Sequence, residues 1–201
     1  MDLAPICNTW SVFPLAPNTK VPMKASHGFY DAKPIDQWGD WPPGANIAVA
    51  TGLRSGIVVI DIDNRQSWQA VSKGRKVNTL AAETPSGGLH LFFATNQAWQ
   101  SNASRIATGV DVRGEAGYVA IAPSVTRKGH YKWIEGSLEE LPDWIEARLT
   151  PTAPSLGSVK DGSTVSLEVT FSFSEDQLAR IRAAFSRYAD FRSGIGQNQI
   201  T

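Results

Sequence analysis

Ile57-Val58-Val59-Ile60-Asp61-Ile62-Asp63 is the strongest strand in the chain, a run of apolar, mostly β-branched residues leading into two acids. Residues two apart on a strand share a face. Val59, Asp61 and Asp63 therefore point one way, and Val58, Ile60 and Ile62 the other. Two adjacent carboxylates repel each other at neutral pH. A hard divalent cation removes that cost, and Mg²⁺ favours carboxylate oxygens combined with substrate phosphates. The bland alternative is a strand that ends in a polar Asp63-Asn64 turn.

Working outward, Asn46 to Ala50 (NIAVA) predicts a short buried strand, joined to the first by a turn over 51–56 that holds two glycines. Arg54 and Ser55 lie in that turn, placed either to meet a triphosphate or simply to be exposed. Downstream, Ser67 to Lys76 predicts a helix opened by Ser67. Thr84-Pro85-Ser86-Gly87-Gly88 is a turn whose glycines let backbone amides approach a phosphate as an anion nest. It leads into a strand, Leu89 to Ala94, on which His90 and Phe92 alternate with Leu89, Leu91 and Phe93. His90 is then a donor to a triphosphate or a leaving pyrophosphate, or else a histidine on a sheet surface. Val110 to Arg113 is a short extended segment with Asp111 between apolar residues and Arg113 on the same face, either a third metal ligand beside a phosphate contact or an ordinary strand-end pair. Tyr118 to Ala122 predicts a strand stopped by Pro123. It is expected to pair with Tyr131 to Ile134 through the Arg127-Lys128-Gly129 turn.

The remainder sets limits. With 201 residues, 42% of them apolar, the chain makes one domain, or one domain plus a small appendage, with a sizeable core. The net charge of zero counts mildly against a nucleic-acid binder, although an acidic site can cancel a basic groove. Cys7 stands alone, so no internal disulfide forms, which fits a reducing cytosol. Residues 1–10 lack the pattern of a signal peptide, and no run approaches a membrane span. The proline-rich first 45 residues read as loop, with a helical turn at Ile35 to Trp38. Leu141 to Leu149 predicts a helix. The divisions expected are a catalytic domain over 1–150, a linker over 151–173 and the start of a helical region over 174–201. Ser174 caps that last helix, and Leu178, Ile181, Phe185 and Tyr188 make its apolar face.

Each motif is weak alone, and the order carries the inference: an acid pair closing an apolar strand, a Gly-rich turn with His, then an Asp on another strand. Three acids suit two-metal chemistry. A metal-dependent nuclease also uses clustered acids, but the Gly-rich turn and nearby arginines suit a triphosphate better. A non-catalytic binding module needs no shared acidic surface. It gains if Asp111 lies far from Asp61 and Asp63.

From about Trp10 to Leu149 the sequence resembles the bifunctional primase-polymerase domains of the archaeo-eukaryotic primase superfamily. The resemblance is carried by VFPLAPNTKVP, by PPGANIAVATGLRSGIVVIDID, by ETPSGGLHLFF, by GVDVRGEAGYVAIAPS and by YKW. The family's acid-x-acid pair corresponds to Asp61 and Asp63, its Ser-x-His turn to the segment ending at His90, and its h-Asp motif to Asp111. The motif serine is either Ser86 or replaced by Gly88. The resemblance implies an α+β fold: an RRM-like antiparallel sheet with flanking helices and a small N-terminal α/β part. It implies template-directed synthesis from NTPs or dNTPs with two Mg²⁺ or Mn²⁺ ions, on a single-stranded DNA template with a primer. It also implies a place at the N-terminus of a phage or plasmid replication protein, ahead of a helicase, in the cytoplasm of a bacterial or archaeal cell and not at a membrane. Lys20, Thr51 and Gly52 would touch nucleotide. Arg127, Lys128, Arg182 and Arg187 would approach template, or form solvated faces.

Overall fold

The structure is a computed structural model, and it describes residues 9–24, 26–134 and 136–152. The expected linker beyond Thr152, the final helix, Arg182 and Arg187 lie outside the described residues.

The strands in chain order are β1 (Ser11–Leu15), β2 (Lys33–Pro34), β3 (Asn46–Ala50), β4 (Ile57–Ile62), β5 (Ala81–Glu83), β6 (Leu89–Ala94), β7 (Asn102–Ala107), β8 (Val110–Arg113), β9 (Tyr118–Ala120), β10 (Val125–Thr126), β11 (Gly129–His130), β12 (Lys132–Ile134) and β13 (Glu139–Glu140). Two helices, α1 (Arg65–Ser72) and α2 (Asp143–Glu146), complete the regular structure with two 3-10 turns, Gly28–Asp31 and Ile35–Gln37. A four-stranded sheet runs β2-β1-β3-β9, and a larger one runs β12-β5-β6-β4-β8-β7 with β13 beside β6. All pairings are antiparallel except β13 with β6. The fold is thus mostly antiparallel sheet with few helices, of the α+β kind.

The alternation along β4 sets the layers. Ile57 and Val59, with Phe92 of β6, pack on Val12, Ile47, Val49 and Val119 of the smaller sheet. Trp10 stacks on Phe92 with ring centroids 5.6 Å apart. Val58, Ile60 and Ile62 form the opposite cluster, against Trp68 and Val71 of α1 and Ile145 of α2. Asp61 shares its parity with Val59, so it faces the smaller sheet, at the edge where the two sheets part.

Several expectations are corrected. The N-terminal part is a sheet with 3-10 turns and holds no α-helix among the described residues, since its prolines deny amide donors to any longer helix. Tyr118–Ala120 and Lys132–Ile134 do not pair with each other: β9 pairs with β3 and β12 with β5, in different sheets. After Pro123, side chains replace the ladder. The Ser124 hydroxyl bonds the backbone of Ile47, and Asn46 bonds both backbone groups of Val125. This carries the chain across, and the Arg127-Lys128 turn closes only the small β10–β11 hairpin. Helix α1 begins earlier than expected. Asn64 is its cap, accepting from the Ser67 amide at 3.0 Å. Helix α2 is a single turn that starts after Pro142.

Candidate active site

β4 lies between β6 and β8. The register sets Asp61 opposite His90 on one side and opposite Asp111 on the other. Neighbouring strands are about 4.8 Å apart, so the three side chains form one row across the larger sheet. Arg113, two residues beyond Asp111, shares its face and reaches back over the row. Its Nη2 donates to Asp61 Oδ2 at 3.1 Å and to Asp111 Oδ2 at 2.8 Å. His90 Nε2 stands 3.3 Å from Asp61 Oδ1. The Ser104 amide donates to Asp111 Oδ1 at 2.8 Å.

Burial is uneven along the row. Asp61 and His90 are buried, and Asp63 is exposed just past the end of β4. Asp63 is fixed through its backbone: its amide and that of Asn64 both donate to the Gly109 carbonyl, at 2.9 and 3.0 Å. Gly109 has φ +70, and a Cβ there would meet Asn64 Cβ at 2.8 Å, so glycine is what lets the β7–β8 tip approach. Burial pushes the Asp61 carboxyl up, but the hydrogen bond and charge of His90 and the guanidinium of Arg113 outweigh it, and its pKa lies below the usual carboxylate value. Tyr131 packs its ring on His90, centroids 5.6 Å apart. Its phenol is pushed up to about 12 by burial and by the charges of Asp61 and Asp63. The Nδ1 of His90 is buried and has no partner.

Asp61 and His90 of this row line a cleft with two lobes that share Lys20, Asp61, His90 and Tyr131, and Asp111 adjoins it through its bond to Arg113. One lobe, with a cavity volume of about 410 Å³, continues past Arg113, Glu115 and Tyr118. The other, about 490 Å³ and more apolar, continues past Asp63, Pro85, Ser86, Arg127 and Lys128. Each volume falls in the range that holds a ligand of nucleotide size. The three aspartates offer the hard oxygen donors that Mg²⁺ or Mn²⁺ takes. Among the described residues no three such side chains stand close enough to hold an ion as they are, and Arg113 bonds both Asp61 and Asp111.

Asp61, Asp63, His90, Arg113, Lys20, Ser86, Arg127 and Lys128 thus line one cleft, and Asp111 adjoins it, bonded to Arg113. Other expected contacts go elsewhere. Arg54 Nη1 donates to the carbonyls of Phe29, Tyr30 and Ala32, closing the first 3-10 turn. Ser55 accepts from the Ser11 amide at 3.0 Å. Thr51 is fully buried and donates to the Gly114 carbonyl at 2.6 Å. A Cβ on Gly52 would meet Glu115 Oε2 at 2.5 Å, so Gly52 makes room for Glu115. The amides of Gly87 and Gly88 are used inside their own turn, donating to the Thr84 carbonyl and hydroxyl. They form no open nest. Gly88 instead allows close packing on the Ile62 carbonyl, 2.4 Å from where its Cβ would be.

Glu115 and Tyr118 line the cleft without having been singled out as site residues, and Tyr131, which the sequence leaves between base stacking and core, lines it too. Parity could have found Glu115, since 111, 113 and 115 alternate onto one face. Tyr131 reads by default as core, and the carboxylates beneath it come from strands far away in sequence.

No curated protein matches the chain. A family model does, that of the N-terminal domain of bifunctional DNA primase/polymerase, over residues 3–144. That span includes every cleft residue named above, and the chain belongs to the Prim-Pol family of primase/polymerase-type nucleotidyltransferases.

Proposed function

We propose that the cleft catalyses template-directed nucleotide transfer, making primers or extending DNA, with Asp61, Asp63 and Asp111 as ligands to two Mg²⁺ or Mn²⁺ ions. The observation that carries this is the register, which sets Asp61, on the wall of the cleft, directly against Asp111, while Asp63 lines the same cleft. A passive binding module has no use for that juxtaposition.

The donor set fits hard cations. It consists of carboxylates, their mutual repulsion already calls for a positive charge, and Asp63 keeps a carboxylate with no hydrogen bond among the described residues. Bound there, the ions would acidify the primer 3′-hydroxyl and carry the charge of the leaving pyrophosphate. The chain's own groups do the rest. Lys20, Arg127 and Lys128 draw the polyphosphate into the cleft. His90 holds Asp61 from one side, so that the carboxylate keeps its orientation. The 3′-oxygen forms its bond to the α-phosphorus as the bond from that phosphorus to the bridging oxygen breaks. The electron pair leaves with pyrophosphate, and the hydroxyl proton passes to solvent in the open cleft. The apolar lobe beside Pro85 and Val21 suits a base or sugar face.

We read β5-β6-β4-β8, with α1 after β4, as the RRM-like core, and the protein as the N-terminal part of a phage or plasmid replicase that acts beside a helicase on single-stranded DNA in the host cytoplasm. Among the described residues no helix is long and apolar enough to cross a membrane.

The test is extension of a labelled primer on a single-stranded template with Mg²⁺ or Mn²⁺ and either NTPs or dNTPs. Metal-dependent extension that is lost in Asp63→Ala is expected. Extension undiminished in Asp63→Ala would remove Asp63 from the site, and metal-dependent template cleavage without synthesis would favour a nuclease.

A further inference from the structure

Every carboxylate oxygen of Asp61 and Asp111 has a partner. Arg113 takes Oδ2 of both, His90 Nε2 faces Oδ1 of Asp61, and the Ser104 amide takes Oδ1 of Asp111. A divalent cation at this pair needs the oxygens that the guanidinium holds. The two oppose each other there, because a guanidinium and a divalent cation repel at contact distance. Exposure is also uneven. The side chain of Arg113 is 38% exposed, against 11% for Asp61 and 19% for Asp111. The guanidinium is thus open to an incoming ligand, whereas the aspartates are more deeply set. It borders the lobe that also contains Lys20, where an incoming polyphosphate supplies a new anion.

We propose that Arg113 is a built-in competitor for the catalytic cation. Without nucleotide, its guanidinium occupies the Asp61–Asp111 pair and keeps metal affinity low. With nucleotide, the guanidinium transfers to a phosphate and frees the carboxylates. Metal and nucleotide then bind cooperatively, each raising the other's affinity by the same factor. Idle metal loading is suppressed, and the pair of acids is never left without a counter-charge. This rests on the metal-dependent reading of the site given above.

The experiment is titration of Mn²⁺ followed by the electron paramagnetic resonance of the free ion, with and without a dNTP and in the absence of template. Wild type, Arg113→Gln, Arg113→Lys and Asp61→Asn are compared, with circular dichroism melting as the fold control. Arg113→Gln is expected to bind Mn²⁺ about tenfold or more tightly than wild type without nucleotide, the size set by one charge-assisted pair that no longer competes. It should also lose most of the gain that the dNTP gives wild type. Arg113→Lys, whose ammonium is a point charge without the guanidinium fork, should fall between the two. It carries the test if Arg113→Gln does not fold. Mn²⁺ affinity in the Arg113 variants equal to or weaker than wild type overturns the competition and leaves the metal site standing. Wild-type affinity unchanged in Asp61→Asn overturns the metal site itself, and the competition with it.

Discussion

Asp61 and Asp63 stand two residues apart on one face, yet their surroundings differ. Asp61 is buried against His90 and Arg113, whereas the Asp63 side chain is in solvent. Strand-end acids seldom hold a core together, and from the sequence alone either alanine variant is expected to keep its fold. The structure separates the two. Asp61→Ala leaves a buried histidine and an arginine without their carboxylate and is expected to cost roughly 1–3 kcal/mol in denaturant unfolding. Asp63→Ala should stay within about 0.5 kcal/mol of wild type, while both lose synthesis. Equal stabilities would mean that the Asp61 contacts add nothing. Tyr131 gives a separate test. Its phenol is held neutral by burial and by Asp61 and Asp63, its pKa raised to about 12 from an ordinary value near 10. The neutral phenol's contribution is complete below the ordinary value and is lost as pH rises through the folded one. Wild type should therefore lose stability between about pH 10 and 12, and Tyr131→Phe should lose less over that window. Parallel alkaline curves for the two would show that the phenol does not face the carboxylates.

At the level of elements, β4, β6 and β8 are legible in the sequence because each alternates apolar and functional residues, and a shared parity fixes which side chains meet. That logic yields Asp61, His90, Asp111 and Arg113. It does not reach β5, whose Ala81 and Ala82 carry little strand preference, or β7, which is largely exposed and broken by a register shift, with Ser104 at φ +52. Turn side chains are the least legible. Arg54 lies next to the catalytic strand, which suggests a phosphate contact, but its partners are carbonyls 22 to 25 residues back along the chain. Local pattern holds no record of such a partner. Arg54→Ala is expected to destabilise the protein by about 1.5–3 kcal/mol, the range for hydrogen bonds to a charged group, while nucleotide affinity measured by fluorescence titration stays unchanged. A selective loss of nucleotide affinity would return Arg54 to the site.

Over the whole molecule, two sheets packed face to face, with helices behind the larger one, leave a cleft at the edge where the sheets diverge. The family resemblance anticipates the antiparallel α+β character, and residue pattern alone does not reach the division into two sheets. That division depends on Ser124 and Asn46 bonding the backbone across the break, contacts up to 79 residues long. The row at the cleft has a consequence in time. His90, Asp61 and Asp111 come from strands that are neighbours in space but not consecutive in the chain, and Asp61 meets Arg113 only across 52 residues. A ribosome that has made β4 through β6 has made no site. The last strand of the row and Tyr131 emerge much later, so a stalled or clipped chain ending before them exposes acids with neither their counter-charge nor their far wall. On the proposed reading of the site, activity therefore arrives only with completion of the domain.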